Sequence, residues 1–173
     1  MNFNRDRKAQ FVELLQAHRG LLYKVSRAFG RSAAERADLV QEVVVNLWQA
    51  YPRYDDRLKF STWMYRIALN VAISWRRREK TQTQHLAASG EVILENIADL
   101  ETGAFEADVD LTLLYTSIHR FGALDRALLL LYLDGLSHQE ISAVLGITAT
   151  HISTKIGRLK ERLREYFRTA GRL

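Results

Sequence analysis

Two stretches of this 173-residue chain carry side chains suited to touching nucleic acid. In FSTWMYRIALNVAISWRRREK, Trp63, Arg66, Asn70, Ser74 and Arg77 recur at helical spacing and share one face. An indole, an amide and guanidiniums on a common face suit single-stranded DNA, because rings stack on unpaired bases and arginines hold phosphates. Arg76, Arg77 and Arg78 close that segment. A boundary tryptophan beside a solvated basic helix end is the competing reading. In GLSHQEISAVLGITATHISTKIGRLKERL, the residues Thr150, Thr154, Gly157 and Arg158 share a face flanked by His151, Ser153 and Lys155. Short polar and basic groups in the first half of a helix can reach base edges and phosphates in a major groove. An ordinary helical hairpin would give the same layout, but basic residues crowding the exposed face favour DNA. Gly157 costs a helix interior about 1 kcal/mol, so that position either needs a close approach or tolerates the residue.

Other chemistries find no residues to carry them. There is no carboxylate cluster beside a basic groove, no phosphate-cradling glycine loop and no nucleophile with a base, so an enzyme is not expected. The five histidines are scattered and cysteine is absent, which excludes thiolate metal sites and disulfides; neither metal nor cofactor is expected. A cysteine-free chain with a charged N-terminus and no long apolar run reads as cytoplasmic, without membrane insertion.

The elements that position these groups are helical throughout. A single proline, Pro52, and few runs of β-branched residues predict an all-α protein. Phe11, Leu14, Leu15, Leu21, Leu22 and Val25 recur at helical spacing, with Gly20 and Gly30 as expected breaks. Ser32-Ala-Ala-Glu35 is a capping box and starts a helix that runs to about Ala50. That helix buries Leu39, Val43 and Leu47 and lines a polar face with Asp38, Gln41, Glu42, Asn46 and Gln49. Val44, Val45 and Trp48 exceed what one core face needs, which fits either a protein partner or packing on two sides. After a loop at YPRYDDRLK, a long helix from about Ser61 to Glu79 places Met64, Ile67, Ala68, Val71 and Trp75 in the core.

Beyond a spacer come a helix to about Phe121, another over Asp125–Leu133, a third over Ser137–Leu145 and a last one from Thr148. Ser137-His-Gln-Glu140 is a second capping box, Gly146 allows a tight turn, and Ile152, Ile156, Leu159 and Leu163 form the final core stripe.

Charge divides the chain in the same way. The net charge is +5, yet Thr81–Ile118 contains no Lys or Arg and seven acidic residues. Basic segments lie on either side, Arg66–Lys80 and His151–Leu173. This alternation predicts contact with a polyanion at two places.

ADLVQEVVVNLW, FSTWMYRIALN with its trailing arginines, and LLLLYLDGLSHQEISAVLGIT, in this order and spacing, resemble the extracytoplasmic-function sigma factors of bacterial RNA polymerase. The resemblance covers nearly the whole chain. It implies two small helical domains: a region 2 bundle over 6–80 and a region 4 helix-turn-helix over 111–173, joined by an acidic linker over 81–110. It further implies that Asp38, Gln41, Glu42, Asn46 and Trp48 dock on the polymerase core. Tyr54, Trp63, Arg66, Asn70 and Arg76–Arg78 would meet the promoter −10 element, where a base is flipped and captured. Thr150, His151, Ser153, Thr154, Lys155 and Arg158 would meet the −35 element, with an anti-sigma factor as a further partner. The acidic linker would either thread the polymerase near the RNA path or serve as a solvated spacer.

Three positions depart from the family's pattern: Ser74 where an Asp is frequent, Leu124-Asp125 where Leu-Pro is common, and Ser153 where a basic residue is usual. The last bears on which −35 sequence is read. A free-standing helix-turn-helix regulator would explain the C-terminal motif but leave the docking helix and the FSTW segment without work.

Overall fold

The computed structural model describes residues 3–79 and 109–169, which form two compact units built from eight α-helices and one 3-10 turn, with no strand among the described residues. The first unit contains α1 (Phe3–Ala17), α2 (Arg19–Phe29), α3 (Ala33–Ala50), the 3-10 turn (Tyr51–Arg53) and α4 (Phe60–Glu79). The second contains α5 (Val109–Ile118), α6 (Ala123–Leu133), α7 (His138–Leu145) and α8 (Ala149–Thr169). Most of the acidic linker lies outside the described residues.

In the first unit α2, α3 and α4 pack against one another. Their core includes Leu22, Val25, Phe29, Leu39, Val43, Leu47, Met64 and Leu69, all essentially inaccessible. The first helix break falls at His18 and not at Gly20, which sits inside α2. The His18 backbone N–H is shared between the Leu14 and Leu15 carbonyls, each at 3.2 Å. Its ring Nδ1 lies 2.9 Å from Leu14 O and must carry the proton there, since a carbonyl only accepts. The ring rests on Phe60 at 5.1 Å between centroids, so local hydrogen bonding and packing end α1 without help from a glycine.

Gly30 is required where it stands. A Cβ there would lie 2.8 Å from Arg36 Cγ and 2.9 Å from Arg36 N, so α3 can approach the end of α2 only over a glycine. Ser32 caps α3 by accepting from the Glu35 N–H at 3.1 Å, while the Glu35 carboxylate accepts from the Arg31 N–H at 2.7 Å.

The buried arc of α4 is rotated from the expected stripe. Met64 and Ala68 are buried as expected, but Tyr65, Leu69 and Ala72 join them while Ile67, Val71 and Trp75 are only half-buried. Because α4 packs on both α2 and α3, its inner surface is set by two neighbours rather than by its most apolar stripe. On α3, Val44 is 1% exposed and Trp48 packs on Phe11 at 5.2 Å. Packing on two sides thus accounts for part of that helix's surplus of apolar residues.

The second unit is organised around α6, in which six consecutive residues, Arg126 to Leu131, are buried. A helix apolar all round must be covered on several sides, and α7 and α8 both pack on it. Buried Arg126 donates to the carbonyls of Phe121 at 2.8 Å and His119 at 2.5 Å. It thereby supplies a donor to the carbonyls of the turn between α5 and α6, just beyond the C-terminal end of α5, where a cation also suits the helix dipole.

Candidate nucleic-acid interface

The helix-turn-helix of the second unit is fixed by its caps. Ser137 accepts from the Glu140 N–H at 3.3 Å and the Glu140 carboxylate accepts from the Ser137 N–H at 2.9 Å, a complete capping box. Gly146 adopts φ 70°, a left-handed conformation that ends α7 and turns the chain within three residues. Thr148 then accepts from the His151 N–H at 3.3 Å. Ile152, Ile156 and Leu159 are buried, with Leu163 half-buried, which turns Thr150, His151, Ser153, Thr154, Gly157 and Arg158 to solvent.

Apart from Lys155, the side chains expected at the −35 element thus share one exposed face, and a Cβ at Gly157 would meet nothing within 4 Å. Gly157 meets no close approach from the protein's own atoms. The Thr154 hydroxyl donates to Thr150 O at 3.1 Å, leaving its lone pairs open to a donor. Lys155 differs from its neighbours, being half-buried with Nζ 2.7 Å from Asp125 Oδ1. In the sequence Asp125 stands as a helix start and a departure from the family pattern, and nothing there connects it with Lys155, 30 positions away.

In the first unit the loop and the start of α4 build an aromatic cluster. Trp63 lies 5.0 Å from Tyr54, 5.2 Å from Phe60 and 6.4 Å from Tyr51, between ring centroids. Tyr51 and Phe60 were not singled out from the sequence: the part of Tyr51 depends on how the loop folds back, whereas Phe60 stands one helical turn before Trp63 on α4. The Tyr54 hydroxyl donates to Leu58 O at 2.6 Å. Burial, then the Asp56 carboxylate, push its pKa above the ordinary phenol value, so it remains a donor. Arg57 grips Asp55 through both carboxylate oxygens, at 2.6 to 3.0 Å, and that hydrogen bonding holds the Asp55 carboxyl below its usual range. Leu58 stands 53% exposed between these two anchored residues and α4. Farther along α4, Arg66, Asn70, Ser74, Arg77 and Arg78 are exposed and Arg76 is half-buried.

On α3, Asp38 and Gln41 are exposed, while Glu42, Asn46 and Trp48 are half-buried. The Asn46 amide donates to Glu42 O at 2.8 Å, and Arg78 pairs with the Glu42 carboxylate. Among the described residues no group of His, Asp and Glu could hold a metal ion, and no helix is long and apolar enough to cross a membrane.

A helical unit with an exposed basic helix beside an aromatic cluster, joined in one chain to a helix-turn-helix unit, carries the faces of a two-domain DNA-binding protein. The family described as Sigma-70 region 2 matches residues 14–82, and that described as Sigma-70, region 4 matches residues 123–163. The chain belongs to the sigma-70 family and is an RNA polymerase sigma factor of the extracytoplasmic-function type. It is 24% identical to the ECF RNA polymerase sigma factor SigW of Bacillus subtilis over 167 residues, covering 91% of this chain and 89% of that one. It is 26% identical to the RNA polymerase sigma factor NccH of Alcaligenes xylosoxydans over 156 residues, covering 88% and 84%.

In fold it is similar to the sigma factor RpoE of Bartonella quintana, solved with the anti-sigma factor NepR. The TM-score is 0.70 at 17% identity, over 92% of this chain and 97% of that one. It is also similar to CnrH, solved with the cytosolic domain of CnrY, with a TM-score of 0.62 at 21% identity over 96% and 97%.

Proposed function

We propose that the three faces described above divide the work of transcription initiation. The α3 face of Asp38, Gln41 and Glu42 docks on core polymerase, with Asn46 and half-buried Trp48 at its edge. Trp63, Asn70 and Tyr54 hold unpaired −10 bases, while Arg66 and Arg76–Arg78 follow the adjoining phosphates. The α8 face reads the −35 duplex, with Ser153 and Thr154 at base edges, Arg158 on the backbone, and Thr150 and His151 at the N-terminal edge. The protein works by binding alone, without catalytic chemistry or a cofactor, and acts in the cytoplasm.

The observation that carries this reading is the order of the two family matches, region 2 before region 4, with exposed DNA-type faces in both units. An anti-sigma factor restrains the protein, a reading supported by RpoE having been solved with one. The test is transcription in vitro by core polymerase with and without the purified chain, on a genomic promoter library. Discrete start sites that depend on the chain are expected. A chain that bound duplex specifically but never redirected core would overturn the proposal in favour of a free-standing regulator.

A further inference from the structure

The six cations of α8 are unevenly committed. Lys155 Nζ donates to Asp125 Oδ1 at 2.7 Å, and the two side chains are only 30% and 22% exposed. Lys160 lies 5.4 Å from the centroid of the Tyr132 ring and Arg162 4.6 Å from that of the Phe121 ring. Arg164 pairs with Glu161 and Arg168 with Glu165. Among the described residues, exposed Arg158 is the one α8 cation with neither an ion pair nor a ring partner.

We propose that Asp125 tunes promoter affinity by withholding Lys155 from the DNA backbone, leaving Arg158 as the main phosphate cation of the reading face. The proposal rests on the assignment of α8 as the −35 reader. Asp125 sits in the first turn of α6, where the helix dipole favours a carboxylate. It is anchored there because Arg126–Leu131 immediately after it are buried. A pair covered on most sides is screened by salt less than a surface pair. Were Lys155 to leave for a phosphate, an unpaired carboxylate would remain beside a polyanion, so the pair opposes that exchange. Binding then releases counterions on account of Arg158 and not of Lys155. The reading helix is thereby kept weak by itself, and promoter engagement leans on polymerase and on the −10 contacts.

The experiment measures closed-complex formation by reconstituted holoenzyme on a duplex promoter across a salt series. Asp125→Asn should tighten binding roughly threefold to tenfold near 0.1 M salt and steepen the log–log salt slope by about one. In a Lys155→Ala background the same substitution should do neither. Asp125→Ser, which keeps a small polar group in that first turn, gives a second reading should the amide disturb the fold, and a gain of binding is not what misfolding produces. Equal effects of Asp125→Asn with and without Lys155 would mean that Asp125 repels DNA directly, which overturns the proposal. No change in either background overturns it as well. Arg158→Ala probes the underlying assignment: weaker binding with a shallower slope is expected. Unchanged binding there would remove α8 from the DNA, a failure of the reader assignment and not of the pairing alone.

Discussion

Arg78, at the basic end of α4, donates to the Glu42 carboxylate on the polar face of α3, 36 positions away in sequence. The pair links a side chain proposed to dock on polymerase with one proposed to follow promoter phosphates. With side chains 61% and 32% exposed, it contributes about 0–1 kcal/mol and orients the two helices more than it holds them. Its significance is therefore electrostatic: it sets opposite charges together where two faces proposed to meet different partners adjoin.

That relationship shapes the docking test. Glu42→Arg would set two like charges together and force a cation into the core interface, a cost of about 2–4 kcal/mol or roughly 30- to 1000-fold in affinity. Asp38→Arg, at an exposed position without an ion pair among the described residues, should weaken binding in the same direction while leaving Arg78 paired. Titration of fluorescent factor against core polymerase measures both. Wild-type affinity in the two variants would dismiss α3 as the docking helix.

Two stability predictions concern residues with no proposed contact to DNA or polymerase. Gly30→Ala would place a methyl group within 3.0 Å of the Arg36 backbone and should cost about 1–3 kcal/mol as α2 and α3 are forced apart. Arg126→Met keeps much of the buried stem but leaves the Phe121 and His119 carbonyls without their donor, at about 1–3 kcal/mol for each that water cannot reach. Urea unfolding should show lower midpoints for both. An unchanged midpoint for Arg126→Met would mean that water replaces the guanidinium at the end of α5.

Most of this architecture is legible in the sequence, because caps and periodicity are local. Ser32 and Ser137 announce their helices through Glu35 and Glu140, three residues on, and Gly146 announces its turn. What is hidden depends on partners distant in sequence. The rotation of α4 follows from its position between α2 and α3, so Leu69 and Ala72 are buried while Val71, equally apolar, stays half-exposed. The commitment of Lys155 to Asp125 is likewise tertiary, and that of Trp63 to Tyr54 depends on how the loop folds back onto α4. Charge runs reveal that α8 is basic, but not that five of its six cations are already engaged within the protein.

Strand opening separates two roles that Trp63 combines. Its ring is half-buried against Tyr54 and Phe60, so Trp63→Ala should lower the melting temperature of the free protein as well as remove a stacking surface. Stacking is worth about 1–3 kcal/mol per base, so open-complex formation should fall roughly 5- to 150-fold. Tyr54→Phe keeps the ring and loses only the bond to Leu58 O, which should loosen the loop and give a smaller opening defect. Permanganate reactivity of −10 thymines, read beside duplex retention, distinguishes opening from binding. Normal melting of the promoter by Trp63→Ala would make Trp63 a packing residue alone.

Recognition of the −35 element offers the clearest separation of sequence from charge. The Thr154 hydroxyl already donates to Thr150 O, so toward DNA it presents an acceptor, suited to an exocyclic amine on adenine or cytosine, together with a methyl group that can meet thymine. Thr154→Ala removes the acceptor and keeps a small apolar surface. It should relax the preference at one or two −35 positions by about 1–3 kcal/mol while leaving the salt slope unaltered, because no phosphate contact is lost. Arg158→Ala should do the reverse, lowering affinity for every sequence and flattening the slope. Holoenzyme selection from a randomised −35 library, followed by salt titrations on the winning and losing sequences, reads both effects. Equal weakening of all −35 sequences by Thr154→Ala, with no shift in preference, would show that this hydroxyl braces the helix and does not read a base.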